Sequence, residues 1–320
     1  MPVLGIDISK ADFHCCLLDG TKRAQASFPN RRAGFNKAIS WVRRHGAKDV
    51  AVCMEATGAY WRGVAMALYD AKMTVSVVNP SRTAFFARSQ LRRTKTDRVD
   101  AHMLAEFCQT QKPHPWTPEP PEILELRGLR TYRRHLVEER ATLKQMVSQV
   151  RVNKALKAAH AAQLRATENT LKTVDHEISE LVKRHKSLAE DVARVSSIKG
   201  IGPVAATAIV ALLPVQRLPN GKAAGAYAGA TPRERQSGTS VHGKPRICKT
   251  GNSELRRDLY MAAIAARRFN PVFKAFGDRL EAKGKPPKVV FVAILRKLVV
   301  LAYTLLKNKT TFDPAIGAKA

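Results

Sequence analysis

Five prolines fall within nine residues at positions 113–121, Pro-His-Pro-Trp-Thr-Pro-Glu-Pro-Pro. Proline fixes φ and lacks an N–H, so this stretch can neither continue a helix nor join a central strand. It reads as a semi-rigid linker and a domain boundary. A chain of 320 residues exceeds one ordinary core, so the two sides are best read separately.

Before the linker, residues 1–112 alternate strand and helix patterns. Val3 to Ile8 and Phe13 to Leu18 are apolar strand runs, and Asp19-Gly20 is a hairpin signal leading to a third strand, Ala24 to Phe28. A helix follows from Phe35 to His45, with Phe35, Ala38, Ile39 and Val42 on one stripe. A strand from Val50 to Met54 ends at Glu55, a helix covers Tyr60 to Ala71, and a fifth strand covers Met73 to Val78. The order βββαβαβ and a further helix predict an α/β domain with a mixed sheet.

Four acids in this half stand out. Asp7 lies in the first strand and Glu55 ends the fourth. Asp97 and Asp100 are spaced i,i+3, which puts both on one helix face, about 5–6 Å apart at Cβ. Two like charges about 4 Å apart repel by roughly 4 kcal/mol at an effective dielectric near 20, so such a cluster calls for cations. Hard oxygen donors suit Mg²⁺, with Mn²⁺ as the alternative, and a metal pair can clamp both oxygens of an in-line phosphoryl displacement. Taken singly, Asp7 fits a turn cap, Asp97 a helix N-terminal charge and Glu55 an exposed strand end. Together they have the layout of a ribonuclease-H-like nuclease. Arg92, Arg93 and Lys95 precede Asp97 and would hold phosphate beside the cations.

Residues 122–195 predict a helical coiled-coil connector. Leu129, Leu136, Leu143 and Val150 repeat every seven residues, and Tyr132 and Met146 fill part of the partner register. A second run has Leu164, Leu171 and Ile178, with Val174, Leu181, Leu188 and Val195. Two long helices follow, paired as a hairpin or with another copy. Glu139, Asn153 and His185 interrupt the seams.

Residues 196–320 predict a mostly α domain. Ile198-Lys199-Gly200-Ile201-Gly202-Pro203 reads either as an ordinary interhelical turn or as a helix-hairpin-helix, whose backbone N–H groups hold phosphate without reading sequence. Residues 219–252 are loop-rich, Glu254 to Arg268 is a basic helix, and Lys288 to Leu306 is an apolar packing helix. Arg256 and Arg257 sit in the basic helix, while Arg233, Arg235, Lys244 and Lys249 lie in the loop-rich stretch.

The net charge is +29, and residues 196–320 alone carry an excess of +16. A polyanion partner, DNA or RNA, is the direct reading. No membrane partner is expected, because no unbroken run of 18 apolar residues occurs and no basic amphipathic anchor stands out. The N-terminus has no signal-type core, which predicts a cytoplasmic protein. Cys15, Cys16, Cys53, Cys108 and Cys248 form no C-x-x-C pair, so they read as mostly reduced core residues rather than a zinc ribbon.

The motifs Gly5-Ile6-Asp7, Glu55-Ala56-Thr57-Gly58, Asn79-Pro80 and Lys95-Thr96-Asp97-Arg98-Val99-Asp100-Ala101 resemble the DEDD-type insertion-sequence transposases. These are bridge-RNA-guided serine recombinases with a RuvC-like domain. The resemblance continues, in the same order, through Gly200-Ile201-Gly202, Ala228 to Arg233, Gln236-Ser237-Gly238 and Lys249-Thr250-Gly251-Asn252. It implies a RuvC-like DEDD domain at 1–112, the linker at 113–121, coiled-coil helices at 122–195 and a transposase domain at 196–320. It makes Asp7, Glu55, Asp97 and Asp100 the metal site and Ser237 the nucleophile that joins the DNA phosphate. On chemistry alone Thr239 and Ser240 are equal candidates. The resemblance further implies donor and target DNA, a structured guide RNA, a homo-oligomer (a dimer, and a tetramer in synapsis), and a bacterial cytoplasmic protein that joins the nucleoid when acting. A hydrolytic RuvC-like nuclease or junction resolvase, with water as nucleophile, and a non-catalytic nucleic-acid binder are the competing readings.

Overall fold

The computed structural model describes residues 1–46, 49–91, 96–149, 153–237 and 241–313, with backbone only at 147–149, 235–237, 241, 242, 244 and 245. The chain divides into two compact units, Met1–Glu119 and Pro120–Ala320.

The first unit begins with strands β1 (Val3–Ile8), β2 (Asp12–Asp19) and β3 (Lys22–Pro29), followed by α1 (Arg32–Arg44). Then come β4 (Ala51–Glu55), α2 (Trp61–Asp70), β5 (Thr74–Val78), α3 (Pro80–Ser89) and α4 (Asp97–Gln111). The sheet order is β3-β2-β1-β4-β5. The two hairpin pairs are antiparallel and the pairs β1–β4 and β4–β5 are parallel. This is the mixed ribonuclease-H-like sheet that the strand order predicts.

Side chains alternate across a sheet, so each strand feeds two cores. Leu4, Ile6, Phe13, Cys15, Val52 and Met54 pack with Ala38 and Val42 of α1 and Val64 and Leu68 of α2. Val3, Cys16, Cys53 and Val78 pack on the other face with Ala101, Leu104, Ala105 and Cys108 of α4. Gly5 fixes the height of α4 above the sheet. A Cβ at that position would collide with the Ala101 carbonyl and the Ala105 amide. The linker is ordered against its own unit: Trp116 N donates to the Val75 carbonyl at 2.6 Å, and its ring meets Trp61 edge-on.

The second unit opens with α5 (Pro121–Gln149), α6 (Lys154–Arg184) and α7 (Lys186–Ser196). Helices α5 and α6 form an antiparallel hairpin within the chain. Leu126, Leu136 and Leu143 face Thr167, Leu171, Val174, Ile178 and Leu181. Two sequence expectations change here. Tyr132 and Met146 are exposed, because the seam follows Leu129, Leu136 and Leu143 and leaves them on the outer side. The second long helix ends at Arg184, where His185 adopts extended backbone and α7 begins. Val150 lies outside the described residues. Asn153 caps α6 by accepting from Leu156 N at 2.9 Å.

Beyond the hairpin lie α8 (Pro203–Leu212), α9 (Gly221–Tyr227), strands β6 (Pro232–Ser237) and β7 (Val241–Ile247), then α10 (Ser253–Phe269), α11 (Pro271–Ala282) and α12 (Pro287–Asn308). The stretch read as loop therefore contains a short helix and a β-hairpin. Arg130 of α5 is buried; it donates to Val204 O at 2.8 Å and Thr207 Oγ1 at 2.7 Å and pairs with Asp258 at 2.6 Å. Arg134–Glu254 at 2.8 Å and Arg257–Glu138 at 3.3 Å also tie α5 to α10. Among the described residues α12 is the one helix long and apolar enough to cross a membrane by length and composition. Arg296 and Lys297 interrupt its apolar run, and Val290, Ile294, Leu295, Leu298 and Val299 lie in the core of the unit.

Candidate active site

Sheet register brings the predicted acids of the first unit together. Asp7 of β1 pairs with His14 of β2. Ile6 pairs with Met54, so Glu55 is the next residue along the parallel β4 and flanks Asp7 on its other side. Gly5, two residues before Asp7, faces α4, and strand alternation therefore turns Asp7, His14 and Glu55 toward α4 as well.

Helix α4 supplies the other pair. Thr96 is its N-cap, accepting from Val99 N at 3.3 Å, so Asp97 and Asp100 both fall in the first turn. Ala101 and Ala105 sit on Gly5, and Asp97 lies one turn earlier on the same stripe. Asp97 Oδ2 lies 3.4 Å from His14 Nε2. Glu55 is held from the other side: the buried Thr83 hydroxyl donates to Glu55 Oε1, and Thr57 Oγ1 lies 3.4 Å from Oε2.

The electrostatic result falls on Asp7. Its carboxyl is raised from 3.8 to about 6, first by burial and then by the charges of Asp100, Asp97 and Glu55. All three other acids therefore act on it. Among the described residues no three Asp, Glu, His or Cys side chains yet converge tightly enough to hold an ion. Charge coupling reaches several ångströms, whereas a Mg²⁺–oxygen bond is about 2.0–2.1 Å. The donor set fits a hard divalent cation, and the mutual repulsion is what such a cation would relieve.

A stability test follows from that repulsion. The folded chain holds the Asp7 proton more tightly than the unfolded chain, so its contribution falls as pH rises from 3.8 to about 6 and stays unfavourable above. Without divalent cation, Asp7→Asn should melt above the wild-type chain at pH 7.5 and level with it below pH 4. Equal melting temperatures at both pH values would remove the repulsion.

Cys16, Cys53 and Cys108 lie on the α4 side of the sheet, and Cys15 lies on the α1 and α2 side. The Cys53 thiol is pushed well up by its hydrogen bond with Cys108 and by burial. Cys15, Cys16, Cys53 and Cys108 are buried free thiols and Cys248 is half-buried, as a reduced core requires.

The basic residues are distributed differently. Arg92, Arg93 and Lys95 lie outside the described residues. Lys199 is exposed at the turn between α7 and α8. Gly200 (φ +108°) is pressed against the Ala266 backbone, whereas Gly202 opens on free space at the N-terminus of α8. Arg233 is exposed on β6. Arg256 is committed to structure: its Nη1 donates to the carbonyls of Ala228 at 3.0 Å and Lys249 at 3.3 Å. Arg257 is half-exposed and paired with Glu138. Ser237 ends β6 opposite Val241, at the tip of the hairpin, so it sits on a strand and not in an open loop. The side chains of Ser237, Arg235 and Lys244, and all of Gly238, Thr239 and Ser240, lie outside the description.

Comparison with known proteins gives these positions a family. The model of the DEDD transposases of IS110 matches residues 4–151, and that of the IS116/IS110/IS902 transposase family matches residues 192–278. A pilin gene-inverting protein of Moraxella bovis is 30% identical over 318 residues, 98% of either chain. The chain belongs to the IS110 family of transposases. The pilin gene-inverting protein of Moraxella lacunata is equally similar, and the IS110 insertion-element 43.6 kDa protein of Streptomyces coelicolor is 24% identical over 159 residues, 49% of this chain and 38% of that one. Membership implies DNA binding and DNA recombination. In this IS110-family transposase the first match spans all four acids and the second spans the α7–α8 turn, Ser237 and Arg256.

His14 and Thr83 are the residues that sequence reasoning missed. The signal for His14 was present: in Phe13-His14-Cys15-Cys16-Leu17-Leu18, alternation puts His14, Cys16 and Leu18 on one face. Counting out from the turn at Ser9, Lys10 and Ala11, which joins the first two strands, sets it opposite Asp7. Thr83 carried no comparable signal, since its burial depends on how α3 meets the sheet.

Proposed function

We propose that this transposase is an RNA-guided DNA recombinase that moves or inverts a mobile DNA segment through a covalent phosphoserine intermediate. The observation that carries the reading is that Asp7, Glu55, Asp97 and Asp100 lie at one end of the sheet, on two paired strands and the first turn of α4. These four carboxylates would hold Mg²⁺ or Mn²⁺. The bound cation would supply Lewis-acid stabilisation of charge on the phosphoryl oxygens.

The chain's own residues do the rest. Asp7 and Glu55, on paired strands, form the rigid wall of the site, and Asp97 and Asp100 close it from α4. Ser237 Oγ forms a bond to a DNA phosphorus as a backbone P–O bond breaks, which conserves the phosphodiester energy for rejoining. A hydroxyl of the new partner strand then displaces the serine. The serine of one subunit would work with the acids of another, in a dimer that becomes a tetramer in synapsis. The proposed division is a DEDD domain at 1–112, a linker at 113–121, coiled-coil helices at 122–195 and a serine-bearing domain at 196–320.

Backbone phosphates would be held by Arg92, Arg93 and Lys95 in the first unit. In the second, Lys199, Gly200, Gly202, Arg233, Arg235, Lys244 and Lys249 would do so, with Arg257 at its exposed edge. Phosphate contacts position a duplex and carry little sequence information, so pairing with a guide RNA would choose the site. Inversion enters from the name of the Moraxella relatives, which are pilin gene-inverting proteins.

The test is a recombination assay in cells. The chain, purified after expression with the DNA beside its gene, should retain one defined RNA. Recombinant junctions on a reporter plasmid should require that RNA. Junctions formed equally well without it would remove the guide and leave an autonomous recombinase.

A further inference from the structure

We propose that His14 is a positioning residue for the carboxylate site, acting through Asp97. The inference rests on the reading of Asp7, Glu55, Asp97 and Asp100 as a cation site. His14 belongs to β2, which is hydrogen-bonded to β1 on one side and β3 on the other, so its backbone is among the most constrained in the unit. Asp97 is the opposite case. It is the first residue of α4, and its side chain is 65% exposed.

An exposed carboxylate at a helix end samples several rotamers, and ordering it costs entropy when it binds. The His14 ring is 21% exposed and presents Nε2 at 3.4 Å from Asp97 Oδ2. The contact engages one carboxylate oxygen and is compatible with Oδ1 binding a cation. His14 is also directly opposite Asp7 in the sheet register. One ring therefore links the sheet-borne acid row to the first turn of α4. Partners that orient ligating groups in this way typically contribute about 10–100-fold in metal affinity.

The experiment is Mn²⁺ binding to the full chain, read by the loss of free-ion electron paramagnetic resonance signal, with far-ultraviolet circular dichroism to confirm folding. His14→Ala should weaken Mn²⁺ binding by about tenfold or more. His14→Gln, which keeps an N–H donor near Asp97, should restore most of the affinity. Asp7→Asn is the reference and should abolish binding. If Asp7→Asn abolishes binding while His14→Ala leaves it unchanged, the positioning role is overturned and the cation site stands. If Ala and Gln weaken binding equally, the ring acts by packing and the inference is again overturned. If Asp7→Asn itself leaves binding intact, the cation site fails and the role of His14 falls with it.

Discussion

Asp7→Asn is expected to lower DNA strand cleavage and transfer by about a thousandfold at saturating Mg²⁺, with the fold intact. Each tenfold in rate is about 1.4 kcal/mol, and loss of metal-centred charge stabilisation is worth several kcal/mol. Asparagine keeps the shape of aspartate, so packing of α4 over Gly5 is not disturbed. What disappears is a carboxylate on which the other three act. Metal-free stability should rise in the same variant, since the repulsion is gone. A substitution that stabilises the protein while abolishing its chemistry identifies a group kept for function at a cost to stability. Asp97→Asn should reduce the rate comparably. Asp12→Asn, an acid of the same sheet that bonds locally to Ser9 at 2.7 Å, should leave it unchanged. Equal rates for Asp7→Asn and the wild-type chain would remove the carboxylate site from the mechanism.

Much of this site was legible in the sequence because it depends on local periodicities. Strand alternation and the i,i+3 spacing of Asp97 and Asp100 are set by backbone geometry alone. Gly5, two residues before Asp7, is equally local in origin: only a residue without Cβ lets α4 approach closely enough to bring its first turn over the acids. The succession of strands and helices along the first unit, and its mixed sheet, followed from the same patterns and from the hairpin signal at Asp19-Gly20.

What the sequence hid depends on long-range choices. Tyr132 and Met146 share a heptad phase that looks like a seam, yet α6 docks on the neighbouring stripe and leaves them exposed. Ser237 looked like a loop residue because Gly, Ser and Thr surround it; pairing with β7 makes it a strand end. Arg256 looked like a phosphate contact by charge. Its Nη1 also holds two backbone carbonyls, of Ala228 and Lys249, a structural task that charge alone does not reveal. Thr83 gained its role only when α3 placed it against Glu55. In each case the missing information was which element packs where, and a single-residue propensity does not contain it.

The proposed serine step has an all-or-none consequence. Ser237 ends β6 at the tip of a two-stranded hairpin. A serine that attacks phosphorus leaves the protein covalently joined to a DNA end until the partner strand displaces it. The measurement is denaturation in SDS of a reaction containing protein, guide RNA, Mg²⁺ and labelled donor and target DNA, followed by electrophoresis. The wild-type chain should give a labelled protein–DNA species, and Ser237→Ala should give none, whereas Thr239→Ala and Ser240→Ala should retain it. A covalent species persisting in Ser237→Ala, or metal-dependent cutting with no covalent species in any chain, would contradict the account.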